Sequence, residues 1–100
     1  MTITMNHKDD ALTVFLSGRL DTSTAPEFNA YMTGALDGIA ELTVDCSNLD
    51  YVSSAGLREL LILQKRMNMQ GKMKVTGVNE LVYEILEVTG FSAILTVIRQ

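Results

Sequence analysis

Short stretches with the period of a strand alternate along this chain with longer stretches that have the period of a helix. That alternation limits the possible folds more than any other feature. Ala11–Ser17 sets Leu12, Val14 and Leu16 against Thr13, Phe15 and Ser17, the two-residue repeat of a half-buried strand. Leu42, Val44 and Cys46 repeat the pattern, as do Met73 and Val75 within Lys72–Thr76. Ile3–Met5 and Ile94–Ile98 are shorter strand candidates, and the polar run Asn6–Asp10 turns the first strand back on the second.

Three helices fall between these strands. Thr24 offers a capping hydroxyl, with Glu27 three residues on as in a capping box, and Pro26 is tolerated in a first turn. Phe28, Tyr31, Met32 and Ala35 follow at helical spacing up to Gly38. In Ser54–Met69, Leu57, Leu60, Leu61, Leu63 and Met67 project onto one arc, and Arg58, Glu59, Lys65 and Arg66 onto the solvent side. Gly71 stops that helix. Asn79 caps a third helix through Val88, with Leu81, Val82, Ile85 and Leu86 apolar and Gly90 as its stop. Strands separated by helices of this length require crossover connections. The expected fold is therefore α/β, a single small domain over residues 1–100, in the order β-β-α-β-α-β-α-β. Its sheet is mixed and mostly parallel, of about five strands, with helices packed on it.

Composition removes several classes of function. The chain has 100 residues and a formal net charge of −4, so it lacks the basic footprint of a nucleic-acid binder. One Cys and one His provide neither an internal disulfide nor a zinc site of the usual kind, and no metal or cofactor is expected. The longest unbroken aliphatic run is Leu60–Leu63, far short of a bilayer span. The amino terminus has no signal-peptide run, so the expected location is cytoplasmic. Cys46 is expected to be a small buried hydrophobe.

The informative segment is Asp45–Leu57, DCSNLDYVSSAGL, where a strand ends and a helix opens at two serines. Sites in open α/β sheets gather at the carboxyl ends of strands, and a helix N-terminus favours negative charge. Ala55 and Gly56 are too small to shield the Ser54 hydroxyl. The commonest role for a serine here is the helix cap, and either Ser53 or Ser54 can fill it. A nucleophilic serine is disfavoured. Val52 stands where a G-x-S-x-G elbow needs its first glycine, and the only histidine, His7, lies in the amino-terminal turn. No G-x-x-x-x-G-K phosphate loop is present either. The chain is not expected to be an enzyme.

These stretches together resemble a known family. Gly18-Arg19-Leu20-Asp21 with Thr24-Ala25, Val44-Asp45, Leu49–Leu57, Gly71 and Val75–Val78 resemble the STAS domain (sulfate transporter and anti-sigma factor antagonist). The resemblance is to the stand-alone bacterial antagonists and covers nearly the whole chain. It implies a protein-interaction switch. Unphosphorylated, the chain would bind an anti-sigma factor that is itself a Ser/Thr kinase. Phosphorylated on Ser54, it would release that partner, and a phosphoserine phosphatase would reset it. Ser53 replaces the family's usual Asp and is a second candidate acceptor; Ala55 replaces a frequent hydroxyl residue. The chain also stops soon after its last strand, without the C-terminal helix that many relatives carry. The partner surface implied is Asp21 and Thr22 with Ser53, Ser54, Ala55 and Gly56, while Asp50 is read as a turn residue. Helical projection adds Arg58 and Ile62, and places Ile62 and Met69 on the exposed side. The alternative implied by the same resemblance is an accessory subunit of a lipid or anion transport system, binding its partner without phosphorylation.

Overall fold

A hairpin opens the sheet. In the computed structural model, which describes residues 1–100, β1 (Thr2–Lys8) runs antiparallel to β2 (Ala11–Leu20). Only Asp9 and Asp10 join them, a tighter connection than the expected Asn6–Asp10 turn. Asp9 takes φ 55°, the left-handed conformation that such two-residue turns demand and that Asp tolerates. The chain then alternates: α1 (Ala25–Ala35), β3 (Glu41–Val52), α2 (Ser54–Asn68), β4 (Lys72–Val78), α3 (Glu80–Val88), a 3₁₀ turn at Phe91–Ala93 and β5 (Val97–Arg99). The sheet order is β1-β2-β3-β4-β5, with every pair after the hairpin parallel. This is the expected α/β architecture.

The strand order advances one way across the sheet. Right-handed crossovers then place all three helices on one face. The burial pattern agrees. Leu12, Val14 and Leu16 of β2, Leu42 and Val44 of β3, and Met73 and Val75 of β4 share one core with Phe28, Leu60 and Leu86 of the helices. The residues between them, such as Phe15, Lys72 and Lys74, point to the open face. Because each helix meets the sheet along one stripe, Tyr31 and Leu81 lie outside it and are half exposed, contrary to their expected inward placement. Cys46 is buried as expected. Burial, with the Asp45 charge beside it, pushes its thiol up to about 12, so the sulfur is held as an unreactive thiol.

Several strand boundaries differ from expectation; β4, for one, runs to Val78 instead of Thr76. Gly18 does not end β2. It takes φ 101° at a register shift, and pairing resumes to Leu20. β3 continues past Cys46 to Val52. The ten residues of β2 lie against twelve of β3, because Phe15–Ser17 faces Asp45–Asn48 and Gly18–Arg19 faces Leu49–Tyr51. Each bulge adds a residue, so the buried positions of β3 step from Leu42, Val44 and Cys46 to Leu49 and Val52. A strict two-residue repeat therefore loses the strand at Ser47. At the carboxyl end, Gly90 stops α3 with φ 81°, and the 3₁₀ turn consumes Phe91–Ala93. Leu95 drops into the core while Ile94 faces solvent, so β5 is Val97–Arg99 instead of Ile94–Ile98.

Candidate functional site

Parallel pairing brings the carboxyl ends of β2 and β3 side by side. Leu20 pairs with Val52, and one residue further the Ser53 N–H donates to the Leu20 carbonyl at 2.9 Å. The loop into α1 and the first turn of α2 therefore share one end of the sheet. This brings Asp21 and Thr22 together with Ser53 and Ser54.

The two serines have separate positions. Ser53 is the N-cap of α2, in extended conformation; its Oγ accepts from the Gly56 N–H at 3.4 Å and its carbonyl from the Leu57 N–H at 2.8 Å. Ser54 is the first helical residue. It is exposed, and its hydroxyl makes no hydrogen bond within the chain. Ala55 is partly covered behind it, and Gly56 is buried against the sheet end. A Cβ on Gly56 would lie 2.6 Å from the Leu20 carbonyl oxygen and 2.8 Å from side-chain carbons of Leu20 and Val52. Glycine is what allows α2 to begin this close to the strands.

The loop after β2 is organised by Asp21, and the expected Thr24–Glu27 capping box does not form. Thr24 occupies the N-cap position of α1 with helical backbone angles and no side-chain cap bond. Its hydroxyl donates to the Arg19 carbonyl at 2.8 Å and accepts from the Asp21 N–H at 2.8 Å. Asp21 Oδ1 instead takes the N–H groups of Ser23 (3.0 Å) and Thr24 (3.2 Å) and the Ser23 hydroxyl (2.8 Å). An aspartate that collects neighbouring N–H groups in this way competes with any cap further along. Thr22 is exposed at the tip of this turn.

The Ser23 hydroxyl, and behind it the N–H groups of Thr24 and Ser23, hold the Asp21 carboxyl below its ordinary value of 3.8, against an opposing pull from partial burial. A lowered value in the folded state adds stability above the ordinary carboxylate pKa and loses it as pH falls through the folded value. Asp21→Asn keeps an oxygen for the turn but cannot titrate. It is therefore expected to flatten the loss of stability below about pH 4, read as urea midpoints at pH 7 and pH 3. Equal acid-side losses in parent and variant would contradict this.

Arg19 and Tyr51 carry no functional signature of their own in the sequence, yet they frame the site. They face each other across β2 and β3, with the Arg19 guanidinium 4.4 Å from the Tyr51 ring centroid and its Nε 3.6 Å from Asp21 Oδ2. Their only signal in sequence is their place two residues before Asp21 and Ser53 respectively. Asp50 is the extra residue of the second bulge and is exposed beside them.

Along α2, Arg58 and Ile62 are exposed one and two turns beyond Ser54. Ile62 borders a shallow cleft of about 40 Å³ between α1 and α2, with Phe28, Met32 and Leu63 beneath it. Glu59 and Arg66 brace the two helices: Glu59 Oε1 accepts from Asn29 Nδ2 at 2.8 Å, and Arg66 donates to the Thr33 carbonyl and to Asp37, both at 3.0 Å. Arg66 is therefore engaged with α1 and is not simply solvated. Met69 is 89% exposed, as expected, but stands at the far end of α2, about 22 Å along the axis from Ser54.

His7 donates from Nε2 to the Asp9 carbonyl at 2.7 Å, beside the hairpin. That is the opposite end of β2 from Leu20, so no imidazole stands near Ser54 to take its proton. No helix is long and apolar enough to cross a membrane.

Several known proteins are similar to this chain in sequence or in fold. The chain is 32% identical over 99 residues to BtrV of Bordetella bronchiseptica, provisionally named an anti-sigma factor antagonist, covering 97% of this chain and 85% of that one. An anti-sigma factor antagonist structure from Mycobacterium paratuberculosis superposes with a TM-score of 0.89 at 20% identity, over 99% of this chain and 86% of that one. SpoIIAA in its unphosphorylated form superposes with a TM-score of 0.82 at 13% identity, over 96% and 87%. In its phosphorylated form SpoIIAA, a Bacillus cell fate determinant, gives 0.74 at 12%, over 96% and 90%. The sequence profile of the STAS domain matches residues 2–100, and the chain belongs to the STAS domain family.

Proposed function

We propose that this chain is a cytoplasmic anti-sigma factor antagonist and a phosphorylation-controlled binding protein, with no catalysis of its own. Its partner is an anti-sigma factor with Ser/Thr kinase activity, and Ser54 is the acceptor. One observation carries the reading. Ser53 is occupied as the cap of α2, which leaves the Ser54 hydroxyl exposed and without a partner at the end of the sheet. In the phosphorylation step, Ser54 Oγ loses its proton to the kinase and takes the γ-phosphoryl group of ATP, with ADP leaving. A phosphoserine phosphatase returns the hydroxyl by transfer of that group to water. The helix N-terminus accommodates the added charge of about −1.5 to −2, so the fold survives and the effect falls on the partner surface. That surface is Asp21, Thr22, Ser53, Ala55, Arg58 and Ile62 around Ser54; Gly56, expected there from the resemblance, is buried and seats α2 on the strand ends instead. The kinship with BtrV supports the reading, and SpoIIAA is a protein of the same fold known both with and without phosphate.

The test is incubation with the cognate kinase and ATP, followed by mass spectrometry, beside pull-downs of two variants. One phosphate is expected, on Ser54. Ser54→Ala is expected to keep the partner, and Ser54→Asp to weaken binding at least tenfold, about 1.4 kcal/mol. No phosphate and equal binding of both variants would overturn the switch. Copurification with a membrane transport ATPase would then point to a transport subunit instead.

A further inference from the structure

Arg58 stands four positions after Ser54 on one continuous helix. Residues at that spacing are neighbours on the helix surface, about 6 Å apart at Cβ. Helical side chains also lean toward the N-terminus, so a long side chain at position 58 sweeps back over the residue at 54. Arg58 is exposed and has no ion pair or hydrogen bond. The nearby cations differ from it. Arg19 is held between Asp21 and the Tyr51 ring, and Arg66 is held by Thr33 and Asp37. Lys65 is exposed, but about 16 Å along the axis from Ser54. Arg58 is thus the free cation nearest to Ser54 along α2.

We propose that Arg58 closes onto the phosphate of phosphorylated Ser54, so that phosphorylation adds a dianion to the partner surface and withdraws a guanidinium from it at the same time. This rests on the reading of Ser54 as the acceptor. A guanidinium fork matches two phosphate oxygens, and an acid placed four residues before a base is the favourable order on a helix. The unphosphorylated chain presents Arg58 to an acidic group on the partner; the phosphorylated chain presents a site closed on itself. The switch then has two arms within one helical turn. Of the other charged groups at this end of the sheet, Asp21 and Asp50 are acidic, and Arg19 is held by Asp21 and the Tyr51 ring.

The test uses the full chain with phosphoserine installed at position 54 during synthesis, so that no kinase is needed. A ³¹P NMR titration reads the second ionisation of the phosphate. In the parent sequence the midpoint is expected below the value of about 6 for a free phosphoserine. Arg58→Gln is expected to raise it by about 0.2–0.4 pK unit, while Lys65→Gln leaves it unchanged. The Arg58 effect is expected to shrink in 1 M salt. An unchanged midpoint in Arg58→Gln, with circular dichroism showing the same fold, overturns the capture. That readout is separate from the switch itself. A cognate kinase that never modifies Ser54 defeats the functional reading, while the midpoint still decides whether the pair forms.

Discussion

A Gly56→Ala variant is expected to lose about 3 kcal/mol or more of folding stability, a large share of what a small domain has. The sign is the opposite of the usual one. Alanine is favoured over glycine inside a helix by about 1 kcal/mol. At position 56 the added methyl would stand 2.6 Å from the Leu20 carbonyl oxygen and 2.8 Å from Leu20 and Val52 carbons. Two of these neighbours are themselves fully buried side chains, and the third is backbone. None can give way without moving α2 from the strand ends. Gly34, in α1, provides the control. A Cβ there meets nothing within 4 Å, so Gly34→Ala is expected to stabilise by about 0.5–1 kcal/mol. Urea denaturation of the two variants should move the midpoint in opposite directions. Equal, small shifts would show that α2 does not approach the sheet this closely.

The second large effect is expected at Asn79. Its Oδ1 accepts from the Val82 N–H at 2.8 Å and caps α3. Its Nδ2 donates to the Leu49 carbonyl at 3.1 Å. Leu49 is buried, pairs with Gly18 between the two bulges of β3, and lies beyond the last β3–β4 pair, Asp45 with Thr76. Asn79→Ala removes the cap, worth about 1 kcal/mol, and leaves a buried carbonyl without its side-chain donor, about 1–3 kcal/mol, for roughly 2–4 in all. Asn79→Asp keeps the cap oxygen and loses only the donor. It is expected to fall between parent and alanine, and the gap between the two variants isolates the cap. If Asn79→Asp matched the parent, the bond to Leu49 would be contributing nothing to stability.

Both predictions concern contacts that the linear pattern does not display. A glycine at a helix start and an asparagine before a helix are visible in sequence, and Asn79 was legible as a cap. That Asn79 also reaches the bulged part of β3, thirty residues away, was not. The same holds at the site. The helix start marks Ser53 and Ser54, the resemblance to the STAS domain marks Ser54 and Asp21 among the site residues, and the structure places these two at one end of the sheet. Thr24 had the right residue type and spacing for a capping box, yet Asp21 had already taken the Ser23 and Thr24 N–H groups. Local signals of equal strength compete, and the chain's path out of β2 decides between them.

The class of fold is legible along the chain, since strand and helix periodicities are properties of successive residues and crossover geometry follows from their order. So is the serine pair that opens α2. Which serine is free depends on packing between distant segments. A cap is defined by where the chain enters the helix, and that entry is set by the Ser53 bond to Leu20 on a neighbouring strand. The length of β3 depends on such packing as well, because a bulge exists only relative to the strand beside it. Leu42, Val44 and Cys46 keep a period of two that any reader can find. Leu49 and Val52 regain the buried face only by counting against β2.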